Sequence, residues 1–153
     1  MLQVRRAGIG DLDRLVPLFE EYRHFYGRES PKPETRAFLR ERIEGDESVV
    51  FLAMLDALPA GFTQLYPLFS SVGMSRIWLL NDLYVVAAAR RRGVASALLD
   101  AAETHARKTG ATALLLQTGR DNYGAQTLYE RKGWIREDDY CWYDLAISPA
   151  PPD

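Results

Sequence analysis

This chain has little of the chemistry that would make several common readings possible. It has one cysteine, Cys141, so no disulfide can form within it, and that fits a reducing cytoplasm. It has two histidines, His24 and His105, far apart in sequence, and no His/Cys spacing that would make a metal site. No apolar run approaches membrane-spanning length. The opening Met1-Leu2-Gln3-Val4-Arg5-Arg6 alternates and then turns polar, unlike a secretory signal. There is no excess of positive charge: 19 Lys+Arg stand against 21 Asp+Glu, net −2, which is not the footprint of a general nucleic-acid binder. The glycine-rich patterns of nucleotide folds are missing too. No G-x-x-x-x-G-K-[ST] occurs, and no G-x-G-x-x-G follows the first strand.

What remains is 153 residues of ordinary globular composition, 47% hydrophobic and 26% charged, enough for one domain with a proper core. Cys141 lies in a strand-like run and reads as a buried structural thiol rather than a nucleophile. His105 falls in the last turn of a helix, where it suits the helix dipole. The Pro-rich end, Ser148 to Asp153, reads as a disordered tail, leaving a single domain over residues 1–147.

Hydrophobic periodicity gives the element order. Leu2 to Arg6 alternates as a strand. Asp11 or Asp13 caps a helix with Leu12, Leu15, Val16, Phe19 and Tyr22 on one stripe, loosened or kinked by Pro17. Pro33 opens a second helix that stops at Gly45. Ser48 to Asp56 and Gly61 to Tyr66 read as a hairpin, turning at Ala57-Leu58-Pro59. Arg76 to Val86 is nearly all apolar and reads as a central strand covered on both faces. A helix runs from Val94 to Gly110, a short strand covers Ala113 to Gln117, and a helix capped by Asp121 or Asn122 stops at Gly133. Trp134-Ile135 and Tyr140 to Ala146 read as closing strands. The order is β-α-α-β-β-β-α-β-α-β-β, an α+β or mixed α/β fold with a twisted sheet flanked by helices.

The chemical centre of gravity is Arg90-Arg91-Arg92-Gly93-Val94-Ala95, between the apolar strand and the next helix. A helix start exposes unpaired N–H groups and the positive end of the dipole. Gly93 has no side chain to block close approach, and the arginines add charge and planar donors. Together they make a seat for phosphate or pyrophosphate. Without its placement, the six-residue pattern would read as a solvated basic helix cap.

Two motifs carry a family resemblance. The first is Leu83-Tyr84-Val85 followed by Arg90-x-x-Gly93-x-Ala95; the second is Asn122-x-x-Ala125-x-x-Leu128-Tyr129-Glu130-x-x-Gly133-Trp134. Their order and separation resemble the GNAT superfamily of acetyl-CoA-dependent N-acetyltransferases over essentially the whole chain. The run Leu80 to Val85 is similar to the branch that includes spermidine/spermine, diamine and histone-type acetyltransferases.

The resemblance implies a mostly antiparallel GNAT-like sheet, acetyl-CoA as co-substrate, no metal, and a homodimer. It implies that Leu83, Tyr84 and Val85 meet the pantetheine arm through their backbone. Backbone N–H groups from Arg91, Arg92, Gly93, Val94, Ala95 and Ser96 would cradle the pyrophosphate, with Arg90 positioning the loop. Asn122 would contact the cofactor arm and Ala125 leave room for it. Tyr129 would protonate the departing thiolate. A phenol suits that task because its reference pKa, ~10, exceeds that of a thiol, ~8.5. The competing reading of Tyr129 is a core aromatic.

Asn81 and Asp82 are polar in an apolar strand, and alternation sends them to opposite faces. Many relatives carry glutamate where this chain has Asn81, and an amide is no base. Asp82 is therefore the candidate base, with an ordered water chain as the alternative and a structural pairing role beside both. The acceptor region is expected around Glu20, Glu21, Tyr22, Tyr26 and Glu29, with Asn81 and Asp82. Phe69, Ser70 and Ser71 are candidates for the same wall. Carboxylates and aromatic faces suit a cationic amine. The expected partner is a small primary amine such as a polyamine, diamine or amino acid, with no nucleic acid and no membrane. A protein lysine or N-terminus, or a non-catalytic acyl-CoA sensor, are the rival readings.

Overall fold

Alternation along the second strand decides how the helices pack. In the computed structural model, which describes residues 1–148, the strand β2 (Val49–Leu55) sends Val50 and Leu52 into one core and Phe51 and Ala53 into another. The first core is filled by α1 (Leu12–Phe25) and α2 (Lys32–Glu44), through Leu12, Leu15, Val16, Phe19 and Leu39. The second is filled by α3 (Val94–Lys108), through Val94 and Leu98. A sheet with helices on both faces follows. Each fully buried Leu or Phe contributes roughly 1.5–3 kcal/mol.

The sheet has the order β1-β2-β3-β4-β5, with β1 Leu2–Arg6, β3 Leu58–Ser70, β4 Ser75–Val85 and β5 Leu114–Leu115. The first four strands pair antiparallel and β5 joins β4 in parallel. The expected mixed α+β class, mostly antiparallel, is thus the observed one. The described residues form two compact units, one spanning Met1–Gln117 and one beginning at Thr118. The second holds α4 (Tyr123–Arg131), capped by the Asn122 side chain accepting from the Ala125 N–H, with Gly133 left-handed at φ +91° after its end.

Several local expectations are corrected. Asp11 gives α1 no side-chain cap, because Arg5 and the Gly8 N–H take its carboxylate. The β2–β3 turn is Asp56-Ala57, both at positive φ, and β3 already begins at Leu58. The strand β4 has helices on both faces as expected, α1 on one and α3 on the other, but β5 pairs with its edge only at Trp78 and Leu79.

The two closing strands do not form: residues 134–148 contain no strand. Alternation alone does not make a strand without a ladder partner, and here Trp142, Tyr143 and Leu145 are exposed. Cys141 is likewise exposed, not buried. Of the Pro-rich end, Ser148 is irregular and residues 149–153 lie outside the described residues.

Candidate functional site

In the first unit, one edge of β4 is open. Among the described residues no strand pairs with that edge beyond Leu79, so the main chain from Leu80 to Val85 has no ladder partner on that side. An extended ligand could add there as a strand does, through main-chain hydrogen bonds. Leu83 and Val85 face the α3 core, whereas Tyr84 packs toward α1. Gly61 on β3 allows this close pairing: a Cβ there would lie 2.5 Å from the Tyr84 carbonyl oxygen. Arg90 reaches back along the same end, its Nε donating to the Val85 carbonyl at 3.2 Å.

After β4 the chain makes the turn Ala87–Ala89 and enters α3 through two left-handed residues, Arg91 at φ +61° and Gly93 at φ +81°. Left-handed residues in such a turn aim successive N–H groups into one concavity, a nest for anions. Gly93 is the N-cap residue, and the space where its Cβ would project is open. The first turn of α3 adds the positive end of the dipole. Arg90, Arg91 and Arg92 are all exposed. Arg92 is anchored: its Nη2 donates to the Asp56 carboxylate at 3.3 Å, and Asp56 also holds the Met1 amine. Val94 is buried, while Ala95 and Ser96 are partly exposed.

On the α1 side, Asn81 and Asp82 break the simple alternation. The register passes from Gln64↔Asp82 to Leu65↔Leu80, leaving Asn81 as the extra residue of a bulge. The two side chains therefore meet instead of parting, with Asn81 Nδ2 donating to Asp82 Oδ1 at 2.6 Å. The Asp82 side chain is sealed in, at 2% exposure, and its other oxygen accepts from Gln64 Nε2 at 2.7 Å. Gln64 is itself fully buried, and its Oε1 accepts from Ser48 Oγ at 2.8 Å. Burial pushes the Asp82 carboxyl above the ordinary carboxylate range, against the pull of hydrogen bonds from Asn81, Gln64 and Tyr22. Asn81 is exposed.

Tyr22 lies over this pair, its hydroxyl donating to the Asn81 main-chain carbonyl at 3.2 Å. Burial and then the nearby Asp82 charge hold its phenol well above the usual range. Tyr66 is pushed up to about 12 by the same two causes. Tyr22 also packs edge-on against Tyr26, Phe62 and Tyr84. Outside this aromatic wall an open cleft of about 570 Å³ is lined by Glu20, Glu21, Glu29, Phe25, Arg28 and Tyr84, among others. Glu21 accepts from the Tyr84 hydroxyl at 3.1 Å.

The sequence reading of this side is reshaped in three ways. Tyr22 and Asp82 stand behind the cleft wall. Phe69, Ser70 and Ser71 belong to the far end of the β3–β4 hairpin, where Phe69 pairs with Arg76 and lies under its guanidinium. Gln64 and Ser48 were not foreseen; the available signal was an amide beside Thr63 in the strand run Gly61 to Tyr66.

In the second unit, the Asn122 carbonyl oxygen is spent on the α4 cap, which leaves its amide hydrogens for other partners. Ala125 and Tyr129 are half-buried, and the Tyr129 ring lies 6.0 Å from that of Trp134. Among the described residues there is no cluster that could hold a metal, and no helix is long and apolar enough to cross a membrane.

Residues 15–134 match the acetyltransferase (GNAT) family. The chain belongs to that family. It is 42% identical over 146 residues to the uncharacterized N-acetyltransferase YhfO of Bacillus subtilis, covering 95% of this chain and 98% of that protein. It is 30% identical over 148 residues to a probable acetyltransferase of Haemophilus influenzae, covering 96% and 99%. A crystal structure of a probable acetyltransferase matches with a TM-score of 0.90 at 42% identity, over 96% of this chain and 99% of that one. The GNAT resemblance read from the two motifs is therefore the correct family, and the chain is an acetyltransferase.

Proposed function

We propose that this acetyltransferase passes an acetyl group from acetyl-CoA directly to the primary amine of a small cationic molecule, with no covalent enzyme intermediate. The observation that carries the reading is the open edge of β4 running into the left-handed turn at the start of α3, beside a cleft walled by carboxylates and aromatic rings. A main-chain edge suits an amide-bearing arm, and a nest at a helix start suits a pyrophosphate. The open space at Gly93 leaves room for phosphates to approach.

Acetyl-CoA supplies the acetyl group as a thioester. In this reading Leu83, Tyr84 and Val85 hold the arm, Arg91 to Ser96 hold the pyrophosphate, and Arg90 braces the loop from behind. Asn122 and Ala125, by their place in the second motif, serve the same arm. The amine nitrogen gains the acetyl carbon and loses a proton, and the departing sulfur gains one. The Tyr129 hydroxyl is the proton donor at that sulfur. A free alkyl ammonium, with a reference pKa of ~10.4, is almost wholly protonated at pH 7, so the amine needs help to shed its proton. Asp82 provides the negative charge for that step. Because Asp82 is enclosed, it acts as base through an intervening water, which takes the amine's proton and passes one to the carboxylate held between Asn81 and Gln64. Glu20, Glu21 and Glu29 draw the cation into the cleft.

The family match spans residues 15–134, which supports one catalytic domain over residues 1–147. The family resemblance supports a homodimer, and the single cysteine supports a cytoplasmic setting.

A thiol-release assay with acetyl-CoA tests this against polyamines, diamines, amino acids, aminoglycosides and histone peptides. Release with a small amine, and recovery of that amine in acetylated form, is the expected result. Release with peptides alone would make the protein a protein acetyltransferase. Tight acetyl-CoA binding with no release for any amine would make it a sensor.

A further inference from the structure

We propose that Gln64, tied back to Ser48, is a positioning residue for the acceptor side of the site: its amide fixes the Asp82 carboxylate, which in turn holds Asn81 with its side-chain oxygen facing outward. The inference rests on the reading of Asp82 and Asn81 given above and adds two residues that no motif marks.

The argument is one of donors and acceptors. Asp82 is enclosed, and among the described residues no ion pair reaches it. An unpaired buried carboxylate is costly unless hydrogen bonds to its oxygens replace the lost water. Here each oxygen has one amide donor, Asn81 Nδ2 at 2.6 Å and Gln64 Nε2 at 2.7 Å. An ionised carboxylate only accepts, so it dictates which end of each amide faces it. Gln64 must turn its nitrogen to Asp82, and its oxygen then meets the Ser48 hydroxyl at 2.8 Å. Asn81 must likewise turn its nitrogen inward. Its oxygen is left pointing away from Asp82, on an exposed residue beside Tyr22.

An amide oxygen held this way accepts from an ammonium or amine N–H, and the anion behind it strengthens that bond. The chain Ser48–Gln64–Asp82–Asn81 thus transmits the orientation of a buried hydroxyl to an exposed acceptor atom. The bulge at Asn81 is what lets adjacent side chains take part in one chain. Asn81 is, on this account, a positioned oxygen.

Other groups face Asp82 and belong in any pH argument. Tyr22 approaches from α1 and Tyr66 from β3, both held above their ordinary range. Arg42 of α2 acts on Tyr66 from further out. Both phenols stay protonated through the acid range in which Asp82 is followed.

The test compares Gln64→Met and Ser48→Ala with the wild type. Gln64→Met keeps the volume and removes the donor; Ser48→Ala is the milder change that keeps the fold if the first does not. Asp82 is titrated by carboxyl carbon NMR, which needs no ligand. The acid limb of kcat/KM is measured with acetyl-CoA and the fastest amine of the panel. The expected result is an upward move of about one pH unit or more in the Asp82 titration with Gln64→Met, since a hydrogen bond to a charged group is worth about that much. The acid limb should move with it, KM for the amine should rise, and KM for acetyl-CoA should stay put. Ser48→Ala should show the same signs, smaller. An unmoved Asp82 titration in both variants overturns the proposal. So does a moved titration with an unmoved acid limb, because Gln64 would then be only structural. Asp82→Asn keeps the two failures apart: if it leaves rate and profile untouched, the reading of Asp82 itself is wrong.

Discussion

The two sides of this site are built from different materials. The side proposed for acetyl-CoA is main chain: an unpaired strand edge, a left-handed arginine and glycine, and the first turn of α3. The side proposed for the acceptor is side chain: a buried carboxylate between two amides, screened by tyrosines, behind a cleft of glutamates. Main chain offers the same groups whatever the residue, so the cofactor side needs only a few special positions, above all Gly93. Every atom on the acceptor side depends on residue identity and on orientation. The same fold can therefore keep one co-substrate while the acceptor changes through a few side chains.

The largest expected effect breaks the division at the point where both sides meet, the transfer itself. Tyr129→Phe keeps the ring and removes the proton. Turnover should fall by roughly a hundredfold to ten-thousandfold, the usual worth of general acid assistance. Acetyl-CoA affinity by calorimetry should barely change. A variant within about a factor of two of wild type would show that water supplies the proton.

Gly93→Val should damage only the cofactor side. Valine at φ +81° costs about 1–2 kcal/mol of local strain, and its branches enter the open space at the nest. Acetyl-CoA affinity should fall about tenfold or more, since 1.4 kcal/mol is a factor of ten. Unchanged affinity in a folded variant would remove the turn from the phosphate site.

Asp82→Asn should damage only the acceptor side. The charge disappears while the shape remains. The kcat/KM for the amine should fall about tenfold or more, and the rising limb should move to higher pH, where more of the amine is neutral. Calorimetry should find acetyl-CoA binding intact. Lower thermal stability with an unshifted profile would make Asp82 a structural group and leave a water chain as the base.

The difference in materials also explains what could be read in advance. The strands and helices of the first unit follow from periodicity, and the α3 turn follows from its glycine between an apolar strand and an amphipathic helix. The open edge of β4 was not legible, because a missing neighbour leaves no mark on Leu80 to Val85. The bulge at Asn81 was hidden as well: it arises from register with β3, and alternation along β4 alone pointed the two polar residues apart. Gln64 lies 16 residues from its partner Ser48 and 18 from its partner Asp82, beyond the reach of any local pattern. The alternating run Tyr140 to Ala146 misled for the opposite reason, since it has the look of a strand but no ladder.

A pH-dependent anchor at the N-terminal end of the sheet gives a change that should touch neither side. The Arg5 guanidinium, bidentate on Asp11, holds that carboxyl down at about 2, from an ordinary 3.8. A carboxyl with a lowered folded value stabilises above its unfolded pKa and loses that contribution as pH falls from about 4 toward 2. Arg5 is half exposed, so the contribution is discounted to about 1 kcal/mol. Asp11→Asn should lower the melting temperature at pH 7 and leave it nearly unchanged at pH 2, with both KM values as in wild type. A change in either KM would mean that α1 transmits strain to the cleft.

The smallest effect concerns the far end of the same helix that opens at the phosphate nest. His105 in the last turn of α3 packs against Trp78 at 4.9 Å and Phe51 at 5.8 Å, and its Nε2 is buried without a hydrogen bond. Burial lowers its pKa from the ordinary 6.5, and Arg6, Arg76 and Lys108 push it the same way. The unfolded chain therefore takes up a proton more readily than the folded one. Stability should be flat above about pH 7 and should fall as pH drops through 6.5 toward the lower folded value. His105→Phe keeps an aromatic ring against Trp78 and removes the titration. Its melting temperature should then exceed that of wild type at pH 5.5 by about 2–4 °C, the shift that one kcal/mol gives in a chain of this size. At pH 8 the two should be close. Acetyl-CoA affinity should match wild type at both pH values, because the first turn of α3 is set by Gly93 and not by the helix's other end. An affinity that followed the His105 titration would show instead that α3 moves as one rod and couples its two ends.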